Sequence, residues 1–353
     1  MQTVESAAEP VLVWGGGAIG GSMAAWWARA GVPVTLVDTD QAHVEACRTR
    51  GLAIEGPVDQ FTQVIPSVTP DGVSGVFRKV VLAVKALATE SATRALLPHL
   101  AADGAVLSAQ NGLNEVAIAR LAGEQRTIGC FVNFAADVLE PGRILFGSRG
   151  ALVLGELSGP PIGRTRGWHA LLQLFDPGAV LTDNIWGHLW GKLGYLSMVY
   201  ATALTDEPML QHFSDPQRAP VFAALAREVV AVARARGVVP VGFGGFDPAA
   251  FAPGAPPDAT EASLEALRAI RRRSAKTHSG IWRDLSVRKR RTEVDSQIGL
   301  VAEMGAAAGV PTPLLRTLAG LIHDIEDGRR PQHPSTFAVL GDTWRQNSTS
   351  AAR

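Results

Sequence analysis

Val11-Leu12-Val13-Trp14-Gly15-Gly16-Gly17-Ala18-Ile19-Gly20 is the stretch that decides the fold. Four apolar residues run straight into glycines spaced G-x-G-x-x-G, at Gly15, Gly17 and Gly20. That spacing alone is weak, because glycine-rich turns are common. Its setting is more specific, with an apolar strand before it and a helical stretch, Ser22–Ala30, after it. Here Gly15 permits a tight turn, Gly17 lets the backbone approach a pyrophosphate, and Gly20 lets helix and strand pack closely. Ala18 and Ile19 open the helix, whose free N–H groups and partial positive charge would face the phosphates. The plain alternative is an ordinary strand-to-helix turn.

Asp38 ends the next apolar run, 18 positions after Gly20. An acid there hydrogen-bonds the adenosine ribose hydroxyls; otherwise it is a turn or cap residue. A carboxylate at that point also repels a ribose 2′-phosphate, by about 4 kcal/mol at 4 Å and an effective dielectric near 20. NAD is therefore the expected cofactor, with NADP as the alternative. Asp40 makes the field more negative, and Arg48 and Arg50 are the nearby positive charges that could reverse the preference.

Outward from the motif, the first half alternates strand-like and helix-like segments. Val34–Val37, Val80–Val84 and Ala105–Ala109 are short Val- and Leu-rich runs bounded by turns, as buried parallel strands are. Ile128–Asn133, Ile144–Phe146 and Ala151–Leu154 continue the pattern, and Ser91–Leu100 reads as helix. The rhythm predicts an open parallel sheet. The second half reads as helices over Ile185–Ala201, Gln217–Arg236, Ala259–Arg273, Thr292–Ala308 and Leu314–Glu326. Between them lie Pro208, Pro216, Pro311, Pro313 and a long loop, Gly242–Pro257, of the kind that is often functional or mobile. The expected architecture is α/β: an N-terminal Rossmann domain with a parallel sheet over residues 1–183, then an all-α domain for substrate and dimerisation over 184–340. Residues 341–353 read as a polar tail.

With 353 residues the chain can build two cores, and its net formal charge is zero. A nucleic-acid protein would carry a basic surplus, so a small metabolite is the expected partner. Cys47 and Cys130 form no disulfide framework and fit no metal-ligand spacing, so no metal is expected. Met1–Pro10 is polar and acidic, unlike a signal peptide, and no apolar run approaches the roughly 18 residues of a membrane span. A cytoplasmic protein with no membrane contact is the expectation.

Further segments make sense together. Val84-Lys85-Ala86 with Thr89, and Gln110-Asn111-Gly112, fall at C-terminal strand ends, where open α/β sheets bind ligands. With Gly15–Gly20, Trp190-Gly191-Lys192-Leu193 and Arg291-Thr292-Glu293-Val294-Asp295, the ordered series resembles the 2-dehydropantoate 2-reductase (ketopantoate reductase) family over roughly residues 11–326. The resemblance implies hydride transfer between a nicotinamide cofactor and a small keto or hydroxy acid. It places Lys85 near the cofactor and Asn111 near the reacting carbonyl or the nicotinamide ribose. Lys192 becomes the general acid at the carbonyl oxygen, and Glu293 holds substrate or Lys192 by a charge-assisted hydrogen bond, within reach of the cofactor. By residue type alone, Lys192 would more often be a helix-surface lysine and Glu293 an exposed first-turn acid.

The chain departs from the family at several points. Asparagines one and two turns after the lysine are replaced by Leu196 and Tyr200, which implies a less polar or bulkier substrate group. The serine-bearing segment corresponds to Thr277–Asp284, with either Ser279 or Gly280 in the serine position and His278 beside it as a further substrate contact. The family commonly prefers NADPH, against Asp38 here. Arg271–Arg273 and Arg288–Arg291 read as solvated charge runs, though Arg283 or Arg288 could grip a carboxylate. The leading function is therefore an NAD(H)-dependent oxidoreductase of 2-oxo or 2-hydroxy acids, as a homodimer. The alternatives are a β-hydroxyacid or sugar-acid dehydrogenase, and a dinucleotide-binding sensor without turnover.

Overall fold

The computed structural model describes residues 9–273 and 276–351. They form two compact units that divide after Ile185. Among the described residues the first unit holds twelve strands: β1 (Val11–Trp14), β2 (Val34–Val37), β3 (Leu52–Glu55), β4 (Phe61–Gln63), β5 (Ser67–Val68), β6 (Phe77–Leu82), β7 (Leu100–Ser108), β8 (Thr127–Val132), β9 (Ala135–Glu140), β10 (Arg143–Ser148), β11 (Leu152–Glu156) and β12 (Val180–Leu181). Eight of them make one sheet in the order β12-β11-β8-β7-β6-β1-β2-β5.

β1 lies inside this sheet, in parallel register with β2 on one side and β6 on the other. All four of its residues are buried. Val11 and Val13 join a core with Trp26, Trp27 and Phe175, while Leu12 and Trp14 join a second core with Val80, Leu82 and Ile118. A strand covered on both faces needs apolar residues at every position, which is why it reads as a continuous run. The first core is closed by α1 (Ala18–Arg29) and by α5 (Gly163–Phe175), and the Trp27 indole N–H donates to Leu171 O across them at 2.7 Å. α2 (Gln41–Thr49), α3 (Thr89–Leu96) and α4 (Asn114–Ala122) are the remaining helices of this unit.

The sheet departs from the all-parallel expectation. β11 runs antiparallel to β8, because the two are joined through a hairpin-like excursion and not a crossover helix. That excursion, β9 and β10, pairs with β3 and β4 in a separate four-stranded sheet of order β4-β3-β10-β9. Ile144 and Phe146 point inward from β10, while Arg143 on its other face pairs with Glu55 and Glu140.

The second unit is built from helices: α6 (Ile185–Thr202, which starts at the boundary), α7 (Met209–Ser214), α8 (Ala219–Ala235), α9 (Pro257–Arg273), α10 (Gly280–Ser286), α11 (Leu300–Ala307), α12 (Pro313–Glu326) and α13 (Pro334–Ala351). Two features differ from the sequence reading. Residues 341–351, read as part of a polar tail, belong to α13, which starts at Pro334 and buries Phe337 and Leu340. The Gly242–Pro257 segment is anchored by buried Phe246 and Phe251, stacked at 5.3 Å. No described helix is long and apolar enough to cross a membrane.

One buried charge in the first unit has a measurable consequence. Glu115, in the first turn of α4, is fully buried, and burial pushes its carboxyl up to about 7. Below about pH 4.5 the group is protonated in the folded and unfolded chain alike. As pH rises toward 7 the unfolded chain releases a proton that the folded chain must keep, so stability falls. Glu115→Gln should lack this slope. Denaturant titrations at pH 5 and pH 8 should show wild type losing on the order of 2–3 kcal/mol relative to the variant. Parallel pH profiles for the two proteins would refute the assignment.

Candidate active site

The glycine turn after β1 separates into positions with different causes. Gly15 has φ +107°, and a Cβ there would lie 2.7 Å from Ala83 C. A Cβ on Gly20 would lie 2.1 Å from Gly15 O and 2.9 Å from Ala83 Cβ. Both glycines are dictated by the packing of β1, α1 and the end of β6. Gly17 is different: a Cβ there meets nothing within 4 Å. It caps α1 with no side-chain hydrogen bond to the first-turn amides, so Ala18, Ile19 and Gly20 open the helix without a capping side chain. An open approach to an uncapped helix N-terminus fits a pyrophosphate.

Asp38 sits half-buried beside this turn. Its Oδ2 accepts the Gly16 N–H at 2.8 Å and its Oδ1 accepts the Asp40 N–H at 2.9 Å. The carboxylate is therefore held in one orientation before any ligand arrives. Asp40 caps α2, accepting from the Ala42 and His43 amides, and Arg48 pairs with Glu45. Burial, with Asp38 nearby, pushes the Cys47 thiol up to about 12, which leaves it a packing residue.

Lys85 and Asn111 lie on the loops that follow β6 and β7. Lys85 is exposed and precedes a 3₁₀ turn, Ala86–Ala88; Asn111 is half-buried and followed by Gly112 at φ +102°. The loops are laced together from below. Gln110 Nε2 donates to Val84 O and to Thr89 Oγ1, both at 2.8 Å, and Thr89 Oγ1 donates to Asn114 Oδ1 at 3.0 Å. Asn114 Nδ2 then donates to Asn111 O at 2.7 Å. Asn114 escaped the sequence reading because nothing local distinguishes it from an ordinary first-turn residue.

In the second unit Lys192 lies on α6 and is 7% exposed. The glycines around it let other backbone approach: a Cβ on Gly191 would lie 2.0 Å from Val241 O, and Val241 N–H donates to Gly187 O at 2.8 Å. Leu196, one turn on, is half-buried, while Tyr200 is buried. Burial pushes the Tyr200 hydroxyl well above its ordinary value, with the negative charges of Glu293, Asp284, Glu326 and Asp295 adding to it. Tyr200 is thus a neutral donor, within electrostatic reach of Glu293.

Glu293 is half-buried and precedes Val294 and a π-helical turn, Asp295–Gly299. The segment before it is pinned by Glu326, whose side chain is buried. Glu326 Oε1 accepts from Thr292 N at 2.7 Å and Thr292 Oγ1 at 2.8 Å, and Oε2 from Arg291 at 2.9 Å. His323 bridges Glu326 at 2.9 Å and Asp295 at 2.8 Å. Burial lowers the tendency of His323 to hold a proton, but these two carboxylates outweigh it and raise its pKa.

His278 and Ser279 lie at the start of α10. Ser279 caps α10 by accepting the Trp282 N–H at 3.0 Å, and Gly280 is the first helical residue. His278 contacts Thr277 Oγ1 and Asp206 O, with its ring 4.1 Å from that of Trp282. Arg288 and Arg290 both pair with buried Asp284, and Arg291 with Glu326 and Asp327. That run is exposed, and its arginines also pair with the acids that hold the loop leading to Glu293.

A largely parallel sheet with a glycine cradle and a fixed acid at its strand ends defines a nicotinamide-dependent oxidoreductase. The chain belongs to the ketopantoate reductase family. It matches the family model described as Ketopantoate reductase PanE/ApbA over residues 11–159, and that for the C-terminal part over residues 184–326. It is similar to the 2-dehydropantoate 2-reductase of Halobacterium salinarum, 29% identical over 318 residues that cover 88% of this chain and 97% of that one. The corresponding protein of Mesorhizobium japonicum is 26% identical over 335 residues, covering 88% and 96%. Among solved structures, the PanE/ApbA family ketopantoate reductase of Ralstonia eutropha JMP134 aligns with TM-score 0.76 at 28% identity, covering 90% and 99%. The D-mandelate dehydrogenase solved with NADH and anilino(oxo)acetate shares the fold, with TM-score 0.79, 20% identity and the same coverage.

The different causes of the glycines separate by mutation. Gly20→Ala should lower the melting temperature, because the new methyl meets backbone. Gly17→Ala should leave melting of the apo protein unchanged and weaken dinucleotide binding, read by quenching of protein fluorescence. Equal affinity in Gly17→Ala and wild type would show that no ligand backbone approaches this glycine.

Proposed function

We propose that this chain transfers a hydride between NAD(H) and a small 2-oxo or 2-hydroxy acid, with Lys192 as proton donor and NADP(H) disfavoured. The observation that carries the reading is the burial of Lys192 on a helix that also brings Tyr200 within reach of Glu293. A lysine kept only for solubility has no reason to be 7% exposed. The bound nicotinamide supplies the hydride. As it reaches the carbonyl carbon, negative charge develops on the oxygen, and the Lys192 ammonium donates a proton there. Glu293 orients Lys192 or a substrate hydroxyl by a charge-assisted hydrogen bond. Lys85 and Asn111, on the laced loops, hold the cofactor and the nicotinamide ribose or carbonyl. His278 and Ser279 remain proposed substrate contacts: Ser279, which accepts from Trp282 N–H, still has its O–H to donate, while His278 would have to exchange its contact with Thr277 or Asp206 for one to substrate. A homodimer is part of the same proposal.

Asp38 supports the preference for NAD. Its two oxygens are fixed by backbone amides, so it can accept from ribose hydroxyls but cannot swing away from a 2′-phosphate. The nearest cation down α2, Arg48, is occupied by Glu45. kcat/KM should therefore favour NADH over NADPH, and Asp38→Ala should narrow the gap. Equal or better activity with NADPH in wild type would overturn the preference.

Leu196 and Tyr200 in place of amides favour a substrate less polar than ketopantoate around the reacting carbon. Lys192→Ala should cut kcat and kcat/KM by about 10²–10⁴. NADH affinity should stay nearly intact. Wild-type kcat in that variant would remove Lys192 from the chemistry, and a parallel loss of NADH affinity would make it a binding residue.

A further inference from the structure

α9 carries a cation where its pattern calls for an apolar residue. Leu264 and Leu267 form its buried stripe, each 2% exposed, and Arg271 continues that stripe at helical spacing. Its neighbours Arg268 and Arg272 are paired with Glu261 and Glu265. Among the described residues Arg271 has no carboxylate partner. Its one hydrogen bond runs from Nη2 to Tyr195 Oη at 2.7 Å, and its Nε is buried with no acceptor.

Tyr195 is itself buried at 9% exposure, with Phe243 edge-on to its ring at 5.7 Å. It lies three residues after Lys192 on α6, and such pairs are neighbours on a helix surface, with Cβ atoms about 5–6 Å apart. Because Tyr195 Oη accepts from Arg271, its own O–H hydrogen is left to donate. The pair therefore offers several donors and one positive charge, and it lacks an acceptor. A part-buried guanidinium without a counter-anion is costly unless an anion completes it.

We propose that Arg271, with the Tyr195 hydroxyl, binds the carboxylate of the 2-oxo acid. This rests on the reading of Lys192 as the group at the carbonyl oxygen. A 2-oxo acid carries its carboxylate one bond from its carbonyl, so donors one helical step from Lys192 are placed to meet it. Tyr195 occupies that step, and Leu196, at the next position, presents no polar atom. The planar guanidinium can take a carboxylate through two parallel N–H bonds, which a lysine cannot imitate.

The test compares oxamate, which carries the carboxylate, with oxamide, which lacks it, by titrating each into the NADH-loaded full chain and reading nicotinamide fluorescence. Wild type should bind oxamate about 10–100-fold more tightly than oxamide, the range expected for charge-assisted hydrogen bonds. Arg271→Gln should bring oxamate down to the oxamide level, with oxamide and NADH affinities unchanged. Arg271→Lys should recover part of the difference, and Tyr195→Phe should lose a smaller part. Arg271→Lys and Tyr195→Phe also serve if Arg271→Gln does not fold. A folded Arg271→Gln or Arg271→Lys protein that keeps the full oxamate-to-oxamide ratio overturns the proposal, as does a wild type that does not distinguish the two. Carboxylate discrimination lost in Arg271→Gln, with no turnover of any 2-oxo acid by wild type, would uphold the grip and refute the proposed reaction.

Discussion

The N-terminal unit depends on the close approach of backbone to backbone at the end of β1. Gly15 lies against Ala83 and Val84, and Gly20 lies against Gly15, at separations no side chain permits. Those contacts set α1 on the sheet and aim its N-terminus past the strand ends. They also bring Gly16 to Asp38, so the same turn fixes the Asp38 carboxylate. The glycine turn and the acid beside it are one mechanical object. At Gly17, in contrast, an added Cβ would meet nothing within 4 Å, so this position is open where Gly15 and Gly20 are closed.

The second unit uses a different device. Lys192 lies on a long helix and Glu293 on a turn before a π-helical segment, and charged residues hold that turn in place. Glu326 fixes the backbone at Thr292, and His323 joins Glu326 to Asp295 at the start of the π turn. Extra backbone turns of this kind recur at functional sites because they re-aim a neighbouring side chain at modest energetic cost. Here the neighbour is Glu293. Asp284 does similar service for the preceding loop, where Lys289 adopts φ +48°.

Much of this was legible in the sequence, for identifiable reasons. β1 is read correctly because burial on both faces leaves an unbroken apolar run, and the helix around Lys192 because most of its positions are buried and apolar. β3, β4 and β9 are not legible, being short, half-polar and paired across a long sequence separation. α13 is hidden by its polar surface, since only Phe337 and Leu340 need be buried to dock it. The arginine runs show the limit most clearly. In sequence Arg271 and Arg288 look alike, yet Arg288 and Arg290 neutralise a buried acid and Arg271 meets none. A signal for that difference was present, because Arg271 continues the Leu264–Leu267 stripe while the acids of α9 lie on another face. Glu115 gave no such signal: its burial is a property of the fold alone.

Hydride transfer to a carbonyl carbon is tested most directly by isotopic label. Wild-type enzyme supplied with NADH deuterated at nicotinamide C4 on the transferred face, and with a panel of 2-oxo acids, should place deuterium at C2 of the hydroxy acid product. It should also show a primary isotope effect on kcat/KM. Tight NADH binding with no deuterium in any product would contradict the account and leave the chain a binder of dinucleotides without turnover.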